Sequence, residues 1–235
     1  MSIEGIFPIG KWDFESESIF ADLPSEDLDL LLTNRSELSY KKGETIFREG
    51  AYPAGIFYIR KGKVKKYKVD REGREQIIYV ANSGEILGYH AILSLDNHTD
   101  SASALEESIL LFIPREDFLI ALDQSAVLSR RLLKTLSHEF AVLSNNLAMF
   151  SQKSVRERLA LQLVVVREKY KDGFPPGAPV EINMSRDDLA SLVGTVRENV
   201  VRILAEFKAD EIVETRGRKI IVLDIKKLIK IANCQ

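Results

Sequence analysis

The spacing of apolar positions changes character twice along the 235-residue chain. Between Tyr40 and Ile113, short runs alternate apolar and polar residues, punctuated by Gly43, Gly50, Gly55, Gly62, Gly73, Gly84 and Gly88. A period of two marks half-buried strands. It predicts strands at Thr45–Phe47, Ile56–Lys61, Lys63–Val69, Gln76–Val80 and Ser108–Pro114, with Asp70–Gly73 as a hairpin turn. Short, regularly spaced strands suit an antiparallel barrel or roll. Ahead of them, residues 1–15 read as a loose lead-in. Residues 16–38 read as helical, with a capped start at Leu23-Pro24-Ser25 and Leu28, Leu31 and Leu32 on one face.

From Pro114 the period lengthens to that of a helix. Arg115–Leu122 is a short helix, and Ser125–Phe150 a long one. In the long helix Leu128, Leu132, Leu136, Phe140, Leu143 and Leu147 recur at steps of three or four, as in a coiled-coil seam. A helix of this kind between two domains is expected to dimerise. Ser151–Ser154 reads as a hinge, with Ser154 capping a helix over Val155–Lys171. Two prolines and two glycines in Asp172–Gly177 then forbid continuation.

A short strand at Val180–Asn183 leads into two helical patterns that meet at Gly194. Ser185 is a good N-cap for the first, with Asp188 three residues on and Leu189, Leu192 and Val193 as its stripe. Thr195 can cap the second, with Glu198 as box partner and Val196, Val200, Ile203, Leu204 and Phe207 as its buried face. Helix, tight turn and helix make a helix-turn-helix, a unit whose second helix enters the DNA major groove. Arg197 and Glu198 lie in that helix's first turn, and Arg202 one turn on. Arginine suits the O6/N7 edge of guanine, and a carboxylate accepts from cytosine N4. Taken alone, Glu198 can equally be a capping acid and the arginines a solvated face. The strands at Ile212–Thr215 and Lys219–Leu223, joined around Gly217, add a wing whose Arg216, Arg218 and Lys219 can meet phosphates. Ser185, Arg186, Thr195 and Asn199 are the further candidates for positioning DNA. Ile225–Ile231 closes the chain as a short helix.

Charge sharpens this division. Residues 1–150 carry a net −6 and residues 151–235 a net +4, so the basic surplus lies with the helix pair. The surplus is modest, and binding should rest on placed arginines rather than on a broad cationic field. A single cysteine, Cys234, excludes an internal disulfide and a Cys-ligated iron–sulfur cluster. The longest aliphatic run, Leu159–Val166, is too short to span a bilayer, and no signal-peptide pattern opens the chain. These features predict a soluble, cytoplasmic protein without a membrane partner. His90, His98 and His138 are the only histidines. With no ligand pattern around them, haem is disfavoured and no metal site is expected. No nucleophile–base pair, metal-ligand spacing or phosphate loop points to an enzyme.

The fold class is therefore α+β. It comprises an N-terminal antiparallel, jelly-roll-like β-roll (1–124), a long dimerisation helix (125–150) and a C-terminal winged helix-turn-helix domain (151–235). This layout resembles the CRP/FNR family of bacterial transcription regulators. The resemblance spans residues 16–225. It rests on Lys42-Gly43-Glu44, Phe57-Tyr58-Ile59-Arg60-Lys61-Gly62, Gly84-Glu85-Ile86-Leu87-Gly88 and Val193-Gly194-Thr195-Val196-Arg197-Glu198-Asn199-Val200-Val201-Arg202.

The likeness implies base-reading roles for Arg197, Glu198 and Arg202, and a palindromic operator with TGTGA-like half-sites. It also implies a homodimer with double-stranded DNA and RNA polymerase as partners. The family's iron–sulfur branch places a different set on this helix. The resemblance further implies an effector pocket at Gly84, Glu85, Ile86, Leu87, Gly88, Asp100, Ser101 and Ala102. Cyclic-nucleotide binders of the family close that cassette with an arginine, which neutralises the cyclic phosphate. Here Asp100 stands in its place, so cyclic AMP is not the expected effector, and another small molecule, a partner protein or no effector remain open. The alternative is a small-molecule- or partner-binding roll whose DNA module is vestigial.

Overall fold

The computed structural model describes residues 3, 5–13, 19–171, 173–175 and 178–234. After a single 3-10 turn at Ile9–Lys11, the chain runs α1 (Ser25–Leu32), β1 (Ser36–Tyr40), β2 (Thr45–Phe47), β3 (Gly55–Lys61), β4 (Val64–Val69), β5 (Glu75–Ala81), β6 (Ile86–Leu87), α2 (Tyr89–Leu93), β7 (Ser101–Ala104) and β8 (Ser108–Pro114). Helices α3 (Arg115–Gln124), α4 (Ala126–Gln152) and α5 (Val155–Lys171) follow. The chain then forms β9 (Glu181–Asn183), α6 (Arg186–Val193), α7 (Arg197–Ala209), β10 (Val213–Arg216), β11 (Lys219–Val222) and α8 (Ile225–Ala232).

Contacts divide the chain into two compact units. One holds Phe14–Lys68 and Ile78–Phe140, the other Met1–Asp13, Val69–Ile77 and Ala141–Gln235. The first is the roll. Its two four-stranded sheets run in the orders β1-β8-β3-β6 and β2-β7-β4-β5. Buried positions meet across the ladder: Ile56 and Ile59 of β3 lie opposite Ile113 and Leu110 of β8, and all four are fully buried. Their core continues through Leu31 of α1, Tyr89 and Ile92 of α2, Phe118 of α3, and Leu128 and Leu132 of α4.

The five predicted strands and the hairpin at Asp70–Gly73 stand within a residue of their expected bounds. Four elements were not predicted, namely β1, β6, α2 and β7. Strand β7 is Ser-Ala-Ser-Ala, every residue buried, so it offers no apolar alternation to read. Helical character does not extend to residue 38: α1 ends at Leu32, and Ser36–Leu38 are strand, held by pairing with β8. The helical reading of residues 16–18, and the chain break at Asp172, Pro176 and Gly177, lie outside the described residues.

In the second unit the lead-in is not loose. Ile3 and Phe7 are buried, and the Lys169 ammonium meets Asp13 at 3.2 Å with both side chains enclosed. Asn145 donates to the Lys11 carbonyl at 2.9 Å. These described residues up to Asp13 therefore group with the C-terminal unit and not with the roll. Helix α5 is buried at every position from Leu159 to Val166, which identifies that aliphatic run as the centre of this unit's core. Its N-terminus is a capping box: Glu157 accepts from the Ser154 N–H at 2.8 Å, and Ser154 Oγ accepts from the Glu157 N–H at 3.3 Å. The polar break before it, where a hinge was expected, is shorter than Ser151–Ser154, because α4 continues to Gln152. No helix among the described residues is long and apolar enough to cross a membrane.

The apolar seam of α4 is not the predicted one throughout. Leu128 and Leu132 are absorbed by the roll's own core, and Leu136 packs against it. The face left open is instead Leu133 (66% exposed), Phe140 (73%), Leu143 (44%) and Leu147 (74%), with Phe150 at its end. The helix carries two stripes that share Leu136, one serving its own roll and one exposed. Counting steps of three or four from Leu128 merges them.

Candidate nucleic-acid interface

Helices α6 and α7 are fixed by local sequence. Ser185 Oγ accepts the Asp188 N–H at 3.0 Å and donates to the Asp188 carboxylate at 2.6 Å, closing the first turn of α6. Gly194 ends α6 in the left-handed region (φ 70°), and a Cβ there would come within 2.7 Å of the Phe150 ring. Glycine is therefore required twice over, for conformation and for space. The bare α6 carbonyls are taken by Arg158 of α5, whose guanidinium donates to Val193 O at 2.9 Å and Gly194 O at 3.1 Å. Ser191 meets the hairpin tip of the same unit, donating to Glu75 O at 2.7 Å and accepting from the Ile77 N–H at 3.0 Å. Sequence reasoning missed Arg158 and Ser191. Neither has a local motif, and the carbonyls through which they brace α6 and the hairpin tip lie 35 residues or more away.

Helix α7 buries Val200, Ile203, Leu204 and Phe207. Val196 does not join them. It is the N-cap residue and 58% exposed. The expected Thr195–Glu198 capping box is absent as well, because α7 starts one residue later; Thr195 Oγ1 accepts instead from the Asn199 amide at 3.0 Å. Freed of capping, Glu198 is exposed in the first turn beside Arg197, and Arg202 is exposed one turn on. Val196 and Val201 add apolar surface to the same open side of the helix. Arg197 pairs with Asp187 of α6 at 3.2 Å, and Arg202 with Glu206 at 2.6 Å. Exposed pairs of this kind hold weakly, on the order of 0–1 kcal/mol, and exchange readily for a stronger anionic partner.

The wing is the antiparallel pair β10–β11, with β9 beside β11. Gly217 makes its turn at φ 60°. Arg216 is held by Glu214 through two contacts, at 2.9 and 3.1 Å, and Lys219 pairs with Glu181. Arg218 is exposed and makes no side-chain pair among the described residues. Of the predicted positioning residues, Ser185 and Arg186 are engaged within the unit. Arg186 donates to the Gly217 and Arg218 carbonyls, each at 3.2 Å.

The predicted effector residues lie in the roll, and all but Gly84 are buried. Glu85 is 1% exposed. One of its oxygens accepts from the Tyr79 hydroxyl and the other from the Asn82 N–H at 2.8 Å. Asp100 meets the Lys66 ammonium at 3.1 Å, with the two side chains 12% and 8% exposed. Ser101 Oγ accepts from the Glu49 N–H at 3.0 Å, Ala102 is fully buried, and Ile86 and Leu87 pair with Tyr58 and Phe57 of β3. Gly84 and Gly88 both take positive φ, and Gly88 opens α2.

A second polar group lies against α4, where Glu139 accepts from the Tyr89 hydroxyl at 2.9 Å and lies 2.8 Å from His90 Nε2. Burial works to raise the Glu139 carboxyl. The His90 bond and charge, Lys66 and the Tyr89 hydroxyl outweigh it and hold the group below its ordinary range. His98, stacked on Phe47 at 4.1 Å, is pushed below the usual histidine value by burial, against the pull of Asp100. No cluster of His, Cys, Asp and Glu that could hold a metal ion occurs among the described residues.

With this geometry in place, the likeness to known proteins is informative. Residues 37–125 match the cyclic nucleotide-binding domain family, and residues 157–231 the Crp-like helix-turn-helix domain family. The chain is 27% identical over 208 residues to the fumarate and nitrate reduction regulatory protein of Vibrio cholerae, covering 88% of this chain and 82% of that one. It is 27% identical over 215 residues to the transcriptional activator protein anr of Pseudomonas aeruginosa, covering 91% and 87%. A transcriptional regulator of the CRP/FNR family from Eubacterium rectale shares the fold, with a TM-score of 0.72 at 22% identity over 90% of this chain and 96% of that one. The chain belongs to the CRP/FNR family of transcription regulators and is not an enzyme.

Proposed function

We propose that this regulator acts as a homodimer that reads a palindromic operator with TGTGA-like half-sites, using Arg197, Glu198 and Arg202 on bases and the wing on phosphates. The observation that carries the reading is the open side of α7. Two arginines and one glutamate stand exposed where a recognition helix presents its first turns, and none is needed to hold the helix in the core. The exposed apolar face of α4 supports the dimer. Leu133, Phe140, Leu143 and Leu147 are large, apolar and exposed at heptad spacing, and a second copy would cover them. Two such copies would set their recognition helices about 34 Å apart, one turn of DNA, so that a palindrome mirrors the protein's symmetry. RNA polymerase is the expected partner of the bound dimer.

The roll takes an effector other than cyclic AMP held in the usual manner, or none. A cyclic phosphate would face Asp100 in place of an arginine, and would have to displace that carboxylate from Lys66. Both oxygens of Glu85, the group a ribose hydroxyl would seek, already have donors. Selection of bound duplexes from a random pool tests the first part; enrichment of a two-fold-symmetric sequence is expected, and recovery of no sequence would refute it. Calorimetric titration tests the second part, since micromolar affinity for cyclic AMP would overturn it.

A further inference from the structure

We infer that the first turn of α6 is a bracket that aims both DNA-reading elements: Arg186 holds the wing, and Asp187 holds Arg197. These two adjacent residues face different partners. The Arg186 guanidinium spans the carbonyls of Gly217 and Arg218, 3.2 Å from each, and so ties the turn of the wing to α6. The Asp187 carboxylate reaches 3.2 Å to Arg197 at the start of α7. Ser185 and Asp188, on either side, fix the turn that carries them through their reciprocal cap.

The charges support the same arrangement. Arg186 is half-buried beside a second cation, Arg197, and burial and that neighbour both pull its pKa below the usual arginine value. A guanidinium placed only to meet phosphate gains nothing from being desolvated there. One that must reach two carbonyls of the wing turn has no other position. Asp187 compensates by placing an anion next to Arg197. The Asp187–Arg197 pair is exposed and adds little to folding. Its effect is to restrict the Arg197 side chain before DNA arrives, which removes part of the ordering cost of recognition. Arginine is the residue the first position requires, because a planar fork can serve two acceptors and an ammonium of similar reach serves them poorly.

The inference deepens the proposed DNA reading and rests on it, so its test has an arm without DNA. In the full-length protein, Arg186→Ala and Arg186→Lys should both raise amide hydrogen exchange in β10 and β11, by roughly tenfold for two lost hydrogen bonds. Exchange unchanged in both variants would overturn the bracket whatever the protein binds. With the selected operator, binding is then followed against salt. Arg186→Ala should lower the salt slope by about one unit, as Arg218→Ala does, and the double variant should fall no further. Additive losses, or full rescue by Arg186→Lys, would mean that Arg186 meets phosphate directly. Asp187→Asn should cut the preference for the base read by Arg197 about threefold while leaving affinity for unrelated duplex equal or higher. Retained preference would overturn the Asp187 half. If wing exchange rises but no sequence is ever selected, the bracket stands and the reading of the protein as sequence-specific fails.

Discussion

Lys66 and Arg197 each meet one aspartate at nearly the same distance, 3.1 Å for Lys66–Asp100 and 3.2 Å for Arg197–Asp187. The first pair is 8% and 12% exposed, the second 59% and 67%. Burial alone turns the same interaction into two different devices. Inside the roll neither charge can return to water without unfolding, so the pair is committed to the protein. On the helix-turn-helix the pair is open to exchange, so its arginine can take the base contact proposed for it. The roll's interior repeats the first arrangement, with Glu85 and Glu139 both enclosed and supplied with donors. The recognition unit keeps Arg197, Glu198, Arg202 and Arg218 at the surface.

Removing one partner from each pair should separate the two regimes most sharply. Lys66→Met leaves Asp100 buried without its cation, and should lower stability by about 3–5 kcal/mol. Replacing both partners, as in Lys66→Met with Asp100→Leu, should recover most of that loss, because a buried pair is often no better than apolar residues of similar volume. Denaturant unfolding followed by a probe in the roll reads both. A loss below about 1 kcal/mol for the single variant would place the pair in water and end the contrast. Arg197→Ala should leave unfolding unchanged and cost about 1–3 kcal/mol of specific binding, with specificity relaxed at one base position. Retained specific binding would remove Arg197 from the readers.

The two regions also differ in how far their chemistry could be read from the chain. The recognition helix was legible because its signals are local. The cap at Ser185, the turn at Gly194 and the outward Arg197, Glu198 and Arg202 fall within eighteen residues of one another. The local rule failed at one point, where Thr195 was given a cap that Val196 occupies, and the error set Val196 in the core. The roll's strands were equally legible wherever they alternate, and β7 was lost because its residues on both faces are small and buried. The partners of Asp100 were not legible at all. Lys66 lies 34 positions away on a neighbouring strand, opposite Ala102 in the register, and only pairing brings the ammonium to the carboxylate. The dimer seam misled for a related reason. Periodicity shows that a helix face is apolar, and the fold decides whether the chain's own core has already used it, as it has at Leu128 and Leu132.

Acid gives a graded test of the buried side. Glu139 is held below its ordinary value, so its contribution is present above the unfolded carboxyl pKa of about 4.3 and is lost as pH falls through the lower folded value. His98 is depressed as well, so its contribution is present above about 6.5 and is lost as pH falls through its lowered value. Both act in the same direction, and the roll should lose stability on acidification in two stages, with the His98 stage at the higher pH. His98→Phe should remove the upper stage and Glu139→Gln the lower, in unfolding midpoints measured from pH 7 downward. A roll whose stability is flat over that range would mean that neither group is buried as described.

The smallest expected effect lies at the exposed extreme. Arg218 sits in the turn of the wing with no side-chain pair among the described residues, and its backbone carbonyl is already held by Arg186. Arg218→Ala should therefore leave the unfolding midpoint where it is. Its consequence should appear only with DNA, where one phosphate contact fewer lowers the slope of log affinity against log salt by about 0.9. The loss should be the same for operator and for unrelated duplex, because a phosphate carries no sequence. Specific and non-specific affinities should accordingly converge with the wild type at high salt, where the counterion advantage vanishes. Arg197→Ala behaves in the opposite way, keeping most of the salt slope and losing the discrimination. If Arg218→Ala also changed which sequence is preferred, the wing would be reading bases, and the division between an α7 that specifies and a wing that holds would fail.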